Sequence, residues 1–182
     1  MALEHAILVS LLEQPGSGYE LARRFERSIG RFWTATHQQI YRVLRRMETD
    51  GWVAGREIGQ DGRPDKRSYQ VSAAGRQVLT EWLREPVQPE AVRHDLAVKI
   101  RGAAFDGPVG RARLSDEVRR YRATHEETLA RYLAGEKRDF PGGDPDTGQQ
   151  LQHVVLRGGI AYERMLLDWL DDVIETLQKG LP

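Results

Sequence analysis

The order of helix and strand signals in residues 1–85 constrains the fold of this chain more than any other feature. Three stretches carry apolar side chains at helical spacing, and two short runs rich in β-formers follow at 52–58 and 66–72. Glycine, aspartate and proline separate these two runs, which predicts a β-hairpin. A fourth helical stretch begins after Ser72, a residue suited to a helix N-cap. The predicted order of three helices, a hairpin and a further helix is that of a winged helix-turn-helix domain.

Two capping boxes predict where the second and third helices begin. Ser17 is followed by Glu20, and Thr36 is followed by Gln39, so each pair can satisfy backbone N–H groups that have no partner within the helix. Glycines then stop both helices. We expect the four helices at 2–13, at about 18–29, from Thr36 to Asp50, and from Ser72 to Pro86 with Val78, Leu79, Trp82 and Leu83 facing inward.

The third helix has two chemically different faces. Its apolar residues recur at about 3.6 residues per turn and are expected to face a core: Ile40, Val43, Leu44 and Met47. A polar set lies at the helix start or on the opposite face, and its members are our candidates for DNA contacts: Thr36, Gln38, Tyr41, Arg42 and Arg45. Gln and Arg read base edges in the major groove, commonly from the start of a recognition helix. The alternative is the ordinary charged solvent face of an amphipathic helix.

The predicted hairpin and the helices before it are cationic. Residues 23–76 contain twelve Lys and Arg against six Asp and Glu, a net charge of +6 in a chain whose total is zero. Three of these cations, Arg63, Lys66 and Arg67, lie near the hairpin tip. A winged-helix protein lays its wing along the sugar-phosphate backbone, so we expect these three to contact phosphates of double-stranded DNA. The alternative is a solvated turn that carries charge for solubility.

The region after a proline-containing linker at 86–92 is predicted to be entirely helical. Helical stretches are expected at 93–105, about 113–137 and about 147–179. The last of them carries an apolar stripe, long enough to indicate pairing with a second copy: Leu151, Val155, Gly158, Tyr162, Met165, Trp169, Val173 and Leu177. We expect a homodimer whose interface includes Tyr162, Met165, Trp169 and Val173. Alternatively, Tyr132, Tyr162 and Trp169 line a pocket for a small aromatic effector.

Composition and motifs argue against several other classes of protein. The chain has no cysteine, which excludes disulfides and thiolate chemistry, and its five histidines are scattered, so no metal site is expected. No catalytic constellation or phosphate-binding glycine loop appears, so neither an enzymatic activity nor a cofactor is predicted. No apolar run approaches the roughly 18 residues of a membrane span, and the start lacks the basic region of a signal peptide. We therefore expect a cytoplasmic protein without membrane contacts.

Several motifs resemble the PadR-like family of transcriptional regulators. They are Gly18-Tyr19-Glu20-Leu21, the Ile-Tyr-x-x-Leu-x-x-Met frame at 40–47, Asp50-Gly51, Arg63-Pro64, Tyr69 and Ala74-Gly75-Arg76. The resemblance is specific over residues 1 to about 85 and continues more loosely through "VRHDLAVKIRGAAF" and "RGGIAYERMLLDWLDDVIETL". That tail resembles the longer subfamily, which has an AphA-like C-terminal dimerisation domain. The chain departs from the family at His37-Gln38-Gln39, which affects the identity of the base contacts and not the placement of the helix.

This resemblance implies a mainly α protein with two domains. Residues 1–85 would form a winged helix-turn-helix DNA-binding domain, and 93–182 an α-helical dimerisation domain. It further implies a sequence-specific regulator, a repressor by resemblance to the family, that acts as a homodimer on an inverted-repeat operator.

Three other functions are compatible with the same pattern. A winged-helix protein–protein interaction module would not bind DNA, and the cationic hairpin argues against it. An enzyme with an N-terminal winged-helix dimerisation domain would need a glycine-rich cofactor loop, which the sequence lacks. A MarR-like regulator would share the DNA-binding function, although its chain ends usually interleave to form the dimer.

Overall fold

The computed structural model describes residues 2–27, 35–60, 63–88 and 94–179. Contacts divide the chain into two compact units, 1–88 and 89–182. The first unit contains α1 (Ala2–Glu13), β1 (Gly16–Ser17), α2 (Gly18–Arg27), α3 (His37–Thr49), β2 (Val53–Gln60), β3 (Arg63–Val71) and α4 (Ala73–Trp82). The second contains α5 (Asp95–Gly102), a 3-10 turn (Ala103–Phe105), α6 (Gly107–Asp139) and α7 (Thr147–Lys179). None of the helices in the described ranges is long and apolar enough to cross a membrane.

The first unit has the winged-helix order that the sequence predicts. Both capping boxes are present: Ser17 Oγ accepts from the Glu20 amide at 3.3 Å, and Thr36 Oγ1 accepts from the Gln39 amide at 3.2 Å. Ser72 caps α4 by accepting from the Gly75 amide at 3.0 Å. The predicted end of the second helix, at residues 28–30, lies outside the described residues.

The core of the first unit is built around one face of α3. Ile40, Leu44 and Met47 are almost completely buried, among side chains from α1, α2 and the sheet. Phe25 from α2 and Tyr69 from β3 complete this core. The prediction for Leu83 is wrong, because α4 ends at Trp82 and the Leu83 side chain is exposed. The inward residues of α4 are therefore Leu79, with Val78 and Trp82 partly buried beside it.

The hairpin is longer than the sequence indicates. Strands β2 and β3 pair antiparallel from Val53↔Val71 to Gln60↔Arg63, and β1 adds to the far edge of β3. Lys66 lies opposite Ile58, so it belongs to the strand and not to the turn. The sheet order is β1-β3-β2, which places the cationic strand β3 in the centre.

The second unit is dominated by an antiparallel pair of long helices. Leu166, Leu170 and Val173 of α7 pack with Leu114 and Val118 of α6. Polar contacts also join the two helices, including Arg122 Nε to Asp171 Oδ1 at 2.6 Å. The sequence predicts all three helical stretches here, and α6 begins earlier than expected because Pro108 is accommodated in its first turn.

The close contact between α4 and the start of β2 provides a test of the packing. A Cβ at Gly75 would overlap the Trp52 carbonyl oxygen and lie 3.0 Å from its carbonyl carbon. Because the obstacle is backbone, Gly75→Ala should cost about 1–3 kcal/mol in the free energy of unfolding. Urea denaturation of both proteins measures this difference. Gly102→Ala is the control, since a Cβ there meets nothing within 4 Å, and equal stability of wild type and Gly75→Ala would contradict the contact.

Candidate nucleic-acid interface

The candidate recognition helix presents its polar side chains to solvent. All five predicted contact residues are exposed: Thr36, Gln38, Tyr41, Arg42 and Arg45. The opposite face supplies the core, so α3 can rotate only at the cost of removing that face from the core. Gln38, Arg42 and Arg45 thus occupy a surface that the fold holds in a fixed orientation.

Tyr41 also has a structural contact with the start of α2. A Cβ at Gly18 would overlap the Tyr41 ring, 2.8 Å from its Cδ1 atom. Gly18 is therefore the residue that lets α2 and α3 approach this closely. The Tyr41 ring remains 38% exposed, so one side chain both packs and faces solvent.

The two described wing cations are each paired with a carboxylate of another element. Lys66 Nζ lies 2.5 Å from Glu20 Oε1, at the start of α2. Arg67 Nη2 lies 2.6 Å from Glu48 Oε1, in the last turn of α3, and Arg67 Nη1 lies 3.5 Å from Glu57 Oε1. Arg63 begins β3, and its side chain lies outside the described residues. These pairs connect β3 to both helices of the helix-turn-helix.

Glu20 has two partners through its two oxygens. Oε2 accepts from the Ser17 amide at 2.9 Å within the capping box, while Oε1 pairs with Lys66. The hydrogen bond from Lys66, followed by that from the Ser17 backbone, lowers the pKa of Glu20 to about 2. The sequence predicts the first partner from the capping-box spacing, but not the second, which lies far away along the chain.

Glu48 is a functional candidate that the sequence does not reveal. Its Oε1 accepts from the Gly55 amide at 3.2 Å as well as from Arg67. The hydrogen bond that Arg67 donates to Glu48 raises the pKa of Arg67, which therefore stays charged. Burial is the main reason why the pKa of neighbouring Tyr69 is also raised. The recognition helix and wing thus meet in one polar cluster.

An open cleft of about 810 Å³ lies between the start of α2, the α3 side chain Tyr41, and β3. Arg24 forms part of its wall and anchors α2 to α1, because its Nη1 donates to the Ser10 carbonyl at 2.7 Å and to the Gln14 carbonyl. Burial lowers the pKa of Arg24. The Arg23 guanidinium lies 5.9 Å from the centre of the Tyr19 ring. The cleft is thus lined with cations and tyrosines, groups that suit an anionic ligand.

In the second unit, the four predicted interface residues lie in different environments. Tyr162 and Met165 are 52% and 56% exposed. Trp169 is partly buried and makes an edge contact with His94, with ring centroids 5.3 Å apart. Val173 is buried against α6 in its own chain, so it is not available to a partner.

The aromatic side chains proposed for an effector pocket also differ in their surroundings. Tyr132 is buried between α6 and α7, and a Cβ at Gly159 would lie 3.2 Å from its ring. Tyr162 faces solvent, and Trp169 contacts His94. Exposed Tyr162 is therefore the member of this set that a ligand can reach directly.

Two histidines of the second unit connect α6 and α7. His125 Nδ1 lies 2.7 Å from buried Glu163 Oε2, and His153 Nε2 lies 2.7 Å from Glu136 Oε1. The sequence shows these histidines as scattered because their partners are distant along the chain. Within the described ranges, no three His, Cys, Asp or Glu residues come together as a set of metal ligands.

Two protein-family models match the chain. Residues 7–81 match the Transcriptional regulator PadR-like family, and residues 92–178 match the family Virulence activator alpha C-term. The first match contains the polar face of α3 and the wing.

Two relatives that match this chain over nearly their whole length are named as transcriptional regulators. The chain is 50% identical to Probable transcriptional regulator Rv1176c of Mycobacterium tuberculosis, over 98% of this chain and 99% of that protein. It is 28% identical to Negative transcriptional regulator PadR of Bacillus subtilis, over 97% of this chain and 98% of that protein.

Solved structures match over both units. Bacillus subtilis PadR in complex with operator DNA has a TM-score of 0.80 at 25% identity, covering 96% of this chain and 97% of that chain. The Vibrio cholerae virulence activator AphA has a TM-score of 0.66 at 29% identity, covering 97% and 98%. Bacillus subtilis PadR in complex with p-coumaric acid has a TM-score of 0.73 at 24% identity, covering 98% and 99%.

The lowered pKa of Glu20 predicts a specific pH dependence of stability. A carboxyl group whose pKa is lower when folded stabilises the protein above its ordinary pKa and loses this effect as pH falls through the folded value. Stability should therefore fall between pH 4.5 and about 2, and Glu20→Gln should be less stable at neutral pH with a flatter dependence in that range. Thermal unfolding across this range measures both effects. Glu85→Gln is the charge-matched control, and an identical pH profile for Glu20→Gln and wild type would contradict the Lys66 pairing.

Proposed function

This chain belongs to the PadR-like family of transcriptional regulators, and we propose that it is a homodimeric repressor that binds an inverted-repeat operator. The observation that carries the proposal is the exposed polar face of α3, held beside a wing whose cations project from β3. A helix in the major groove and a strand pair on the backbone are the two contacts that a winged helix makes with DNA.

The proposed base contacts arise from the first half of α3. Gln38 and Arg42 are exposed, and they are one turn apart on the same face of the helix. A glutamine can read an adenine edge with two hydrogen bonds, and an arginine can read guanine in the same way. We propose that Arg45, one turn further along, and Thr36, at the N-terminus, bind flanking phosphates.

The proposed phosphate contacts arise from Arg63, Lys66 and Arg67 of β3. Lys66 and Arg67 are paired at the protein surface, where solvent screens ion pairs. A DNA phosphate can therefore replace or share their carboxylate partners. Contacts of this kind fix the register of the protein without reading sequence.

The proposed dimer contact is the exposed apolar surface of α7. Several large apolar side chains there are about half exposed or more in the single chain: Leu151, Val154, Val155, Tyr162 and Met165. An exposed patch of this kind indicates an interaction surface, and it lies within the residues that match the family Virulence activator alpha C-term. We propose that a second copy covers it, with Trp169 at its edge and Val173 excluded.

Repression and an aromatic effector are the finer parts of the proposal. The relative from Bacillus subtilis is a negative regulator, and its structure has been solved with p-coumaric acid. We propose that this chain likewise represses transcription and releases DNA when a small aromatic molecule binds the second unit.

Substitutions at the two proposed contact surfaces should have different effects on DNA binding. After the operator has been selected from a random DNA pool, Gln38→Ala should relax preference at one base position and cost about 1–3 kcal/mol on the operator. Replacing Arg63, Lys66 and Arg67 together with alanine should weaken binding to all sequences and flatten the plot of log K against log salt by about 0.9 per lost phosphate contact. Fluorescence anisotropy with operator and scrambled duplexes measures both. A wild-type protein that binds neither duplex would favour a protein–protein module instead.

Substituting Met165 should separate the two copies without unfolding either. Because Met165 is already 56% exposed, Met165→Glu leaves the core of its own chain intact but would bury an unpaired charge in the dimer. The free energy of dimerisation should become less favourable by about 3–5 kcal/mol. Operator affinity should fall as well, since one winged helix covers only one half-site. Light scattering coupled to gel filtration gives the mass. Leu83→Glu, which changes a leucine that is 65% exposed in the first unit, is the control. A dimeric Met165→Glu protein would mean that the interface lies elsewhere.

A further inference from the structure

The carboxylate of Glu48 faces the same cation that the wing would offer to DNA. Glu48 lies in the last turn of α3, and its Oε1 is 2.6 Å from Arg67 Nη2 on β3. The second carboxylate near Arg67, that of Glu57, is more distant at 3.5 Å and mostly exposed. Of the two, Glu48 is thus the principal counter-charge of Arg67.

The Glu48–Arg67 pair occupies the space where a side chain on β2 would lie. Gly55 lies beneath it, and a Cβ there would overlap Glu48 Oε1 and lie 2.6 Å from Arg67 Nε. The Gly55 amide also donates to Glu48 Oε1 at 3.2 Å, which fixes the direction of the carboxylate. The pair is therefore held by three elements: α3, β2 and β3.

The same pair remains accessible from solvent. The Arg67 side chain is 47% exposed and that of Glu48 is 25% exposed. A phosphate can reach the guanidinium, but it approaches a site that already contains a negative charge. The release of counterions that drives phosphate binding is correspondingly smaller at a cation neutralised by the protein itself.

Arg42 and Arg45 differ from Arg67 in this respect. They are exposed on the recognition helix, and among the described residues the structure places no carboxylate within ion-pair distance of either guanidinium. The two arginines on the exposed face of the recognition helix are thus left available, whereas the described wing cations have counter-charges.

We propose that Glu48 limits sequence-independent DNA binding by neutralising Arg67, and thereby lowers the electrostatic affinity of the wing for any duplex. This inference rests on the proposed DNA-binding function. A genome offers a very large excess of non-operator sites, so affinity for arbitrary sequence decides how much protein is free to find an operator. An internal carboxylate lowers that affinity without touching the base-reading side chains.

The decisive measurement is the salt dependence of binding to a duplex of scrambled sequence. Glu48→Gln should steepen the plot of log K against log salt by as much as about 0.9, the value for one full phosphate contact. The strengthened contact should raise affinity for this duplex by as much as about eightfold in about 0.1 M salt. Affinity for the selected operator should rise by no more than this factor, because the gain carries no sequence information.

Two further variants separate the pairing from a simple change in net charge. Glu57→Gln removes the same charge from the more distant partner of Arg67, so its slope should change less than that of Glu48→Gln. Gly55→Ala keeps every charge but displaces the ends of the Glu48 and Arg67 side chains, so its slope should steepen. Since the displaced atoms are the ends of flexible side chains, Gly55→Ala should keep the wild-type circular dichroism spectrum.

Each outcome decides between distinct conclusions. If the wild type binds DNA but Glu48→Gln weakens binding or leaves the slope unchanged, Glu48 does not limit DNA binding. The inference is then wrong, while the proposed DNA-binding function stands. Equal slopes for Glu48→Gln and Glu57→Gln would also overturn it, because net charge alone would then explain the change. If the wild type binds neither operator nor scrambled DNA, the proposed function fails first and the role of Glu48 fails with it.

Discussion

Burial of the apolar face of α3 is the constraint on which the rest of the first unit depends. Ile40, Leu44 and Met47 form the centre of a core to which α1, α2 and the sheet contribute. Removing this face from the core would cost several kcal/mol, since each large apolar side chain contributes about 1.5–3 kcal/mol on burial. The helix therefore cannot rotate, which holds the opposite face in the orientation that we propose for DNA contacts. In that proposal, one side of α3 stabilises the fold and the other side reads DNA.

The sequence predicts the features that depend on neighbours along the chain. Capping boxes span three residues and helical periodicity spans four, so Thr36, Ser72 and the two faces of α3 can be identified without a structure. Contacts across the fold cannot be identified in this way. Lys66 and Glu20 are 46 positions apart, and Arg67 and Glu48 are 19 apart, and neither pair has a local signature. The sequence therefore shows no carboxylate partner for Lys66 or Arg67, and the structure shows one for each.

The second unit shows a different limit of periodicity. An apolar stripe drawn through Tyr162, Met165 and Val173 follows one line on a straight helix of about 3.6 residues per turn. The seam with α6 instead drifts around α7, as in helices that wrap around each other with a repeat of about 3.5. It uses Leu156 and Ile160 near one end, and Val173 and Leu177 near the other. The predicted stripe thus starts on the exposed surface and ends in the core.

The contact between Gly18 and Tyr41 has a consequence for engineering this protein. Because Gly18 has no side chain, the Tyr41 ring of α3 occupies the space that a Cβ at the start of α2 would need. A library that varied every exposed position of α3 would replace Tyr41, and it would thereby change the packing of α3 against the start of α2. Libraries confined to Gln38 and Arg42 would leave that geometry untouched. The positions of α3 that can be varied to change the proposed operator preference are therefore fewer than its exposed residues.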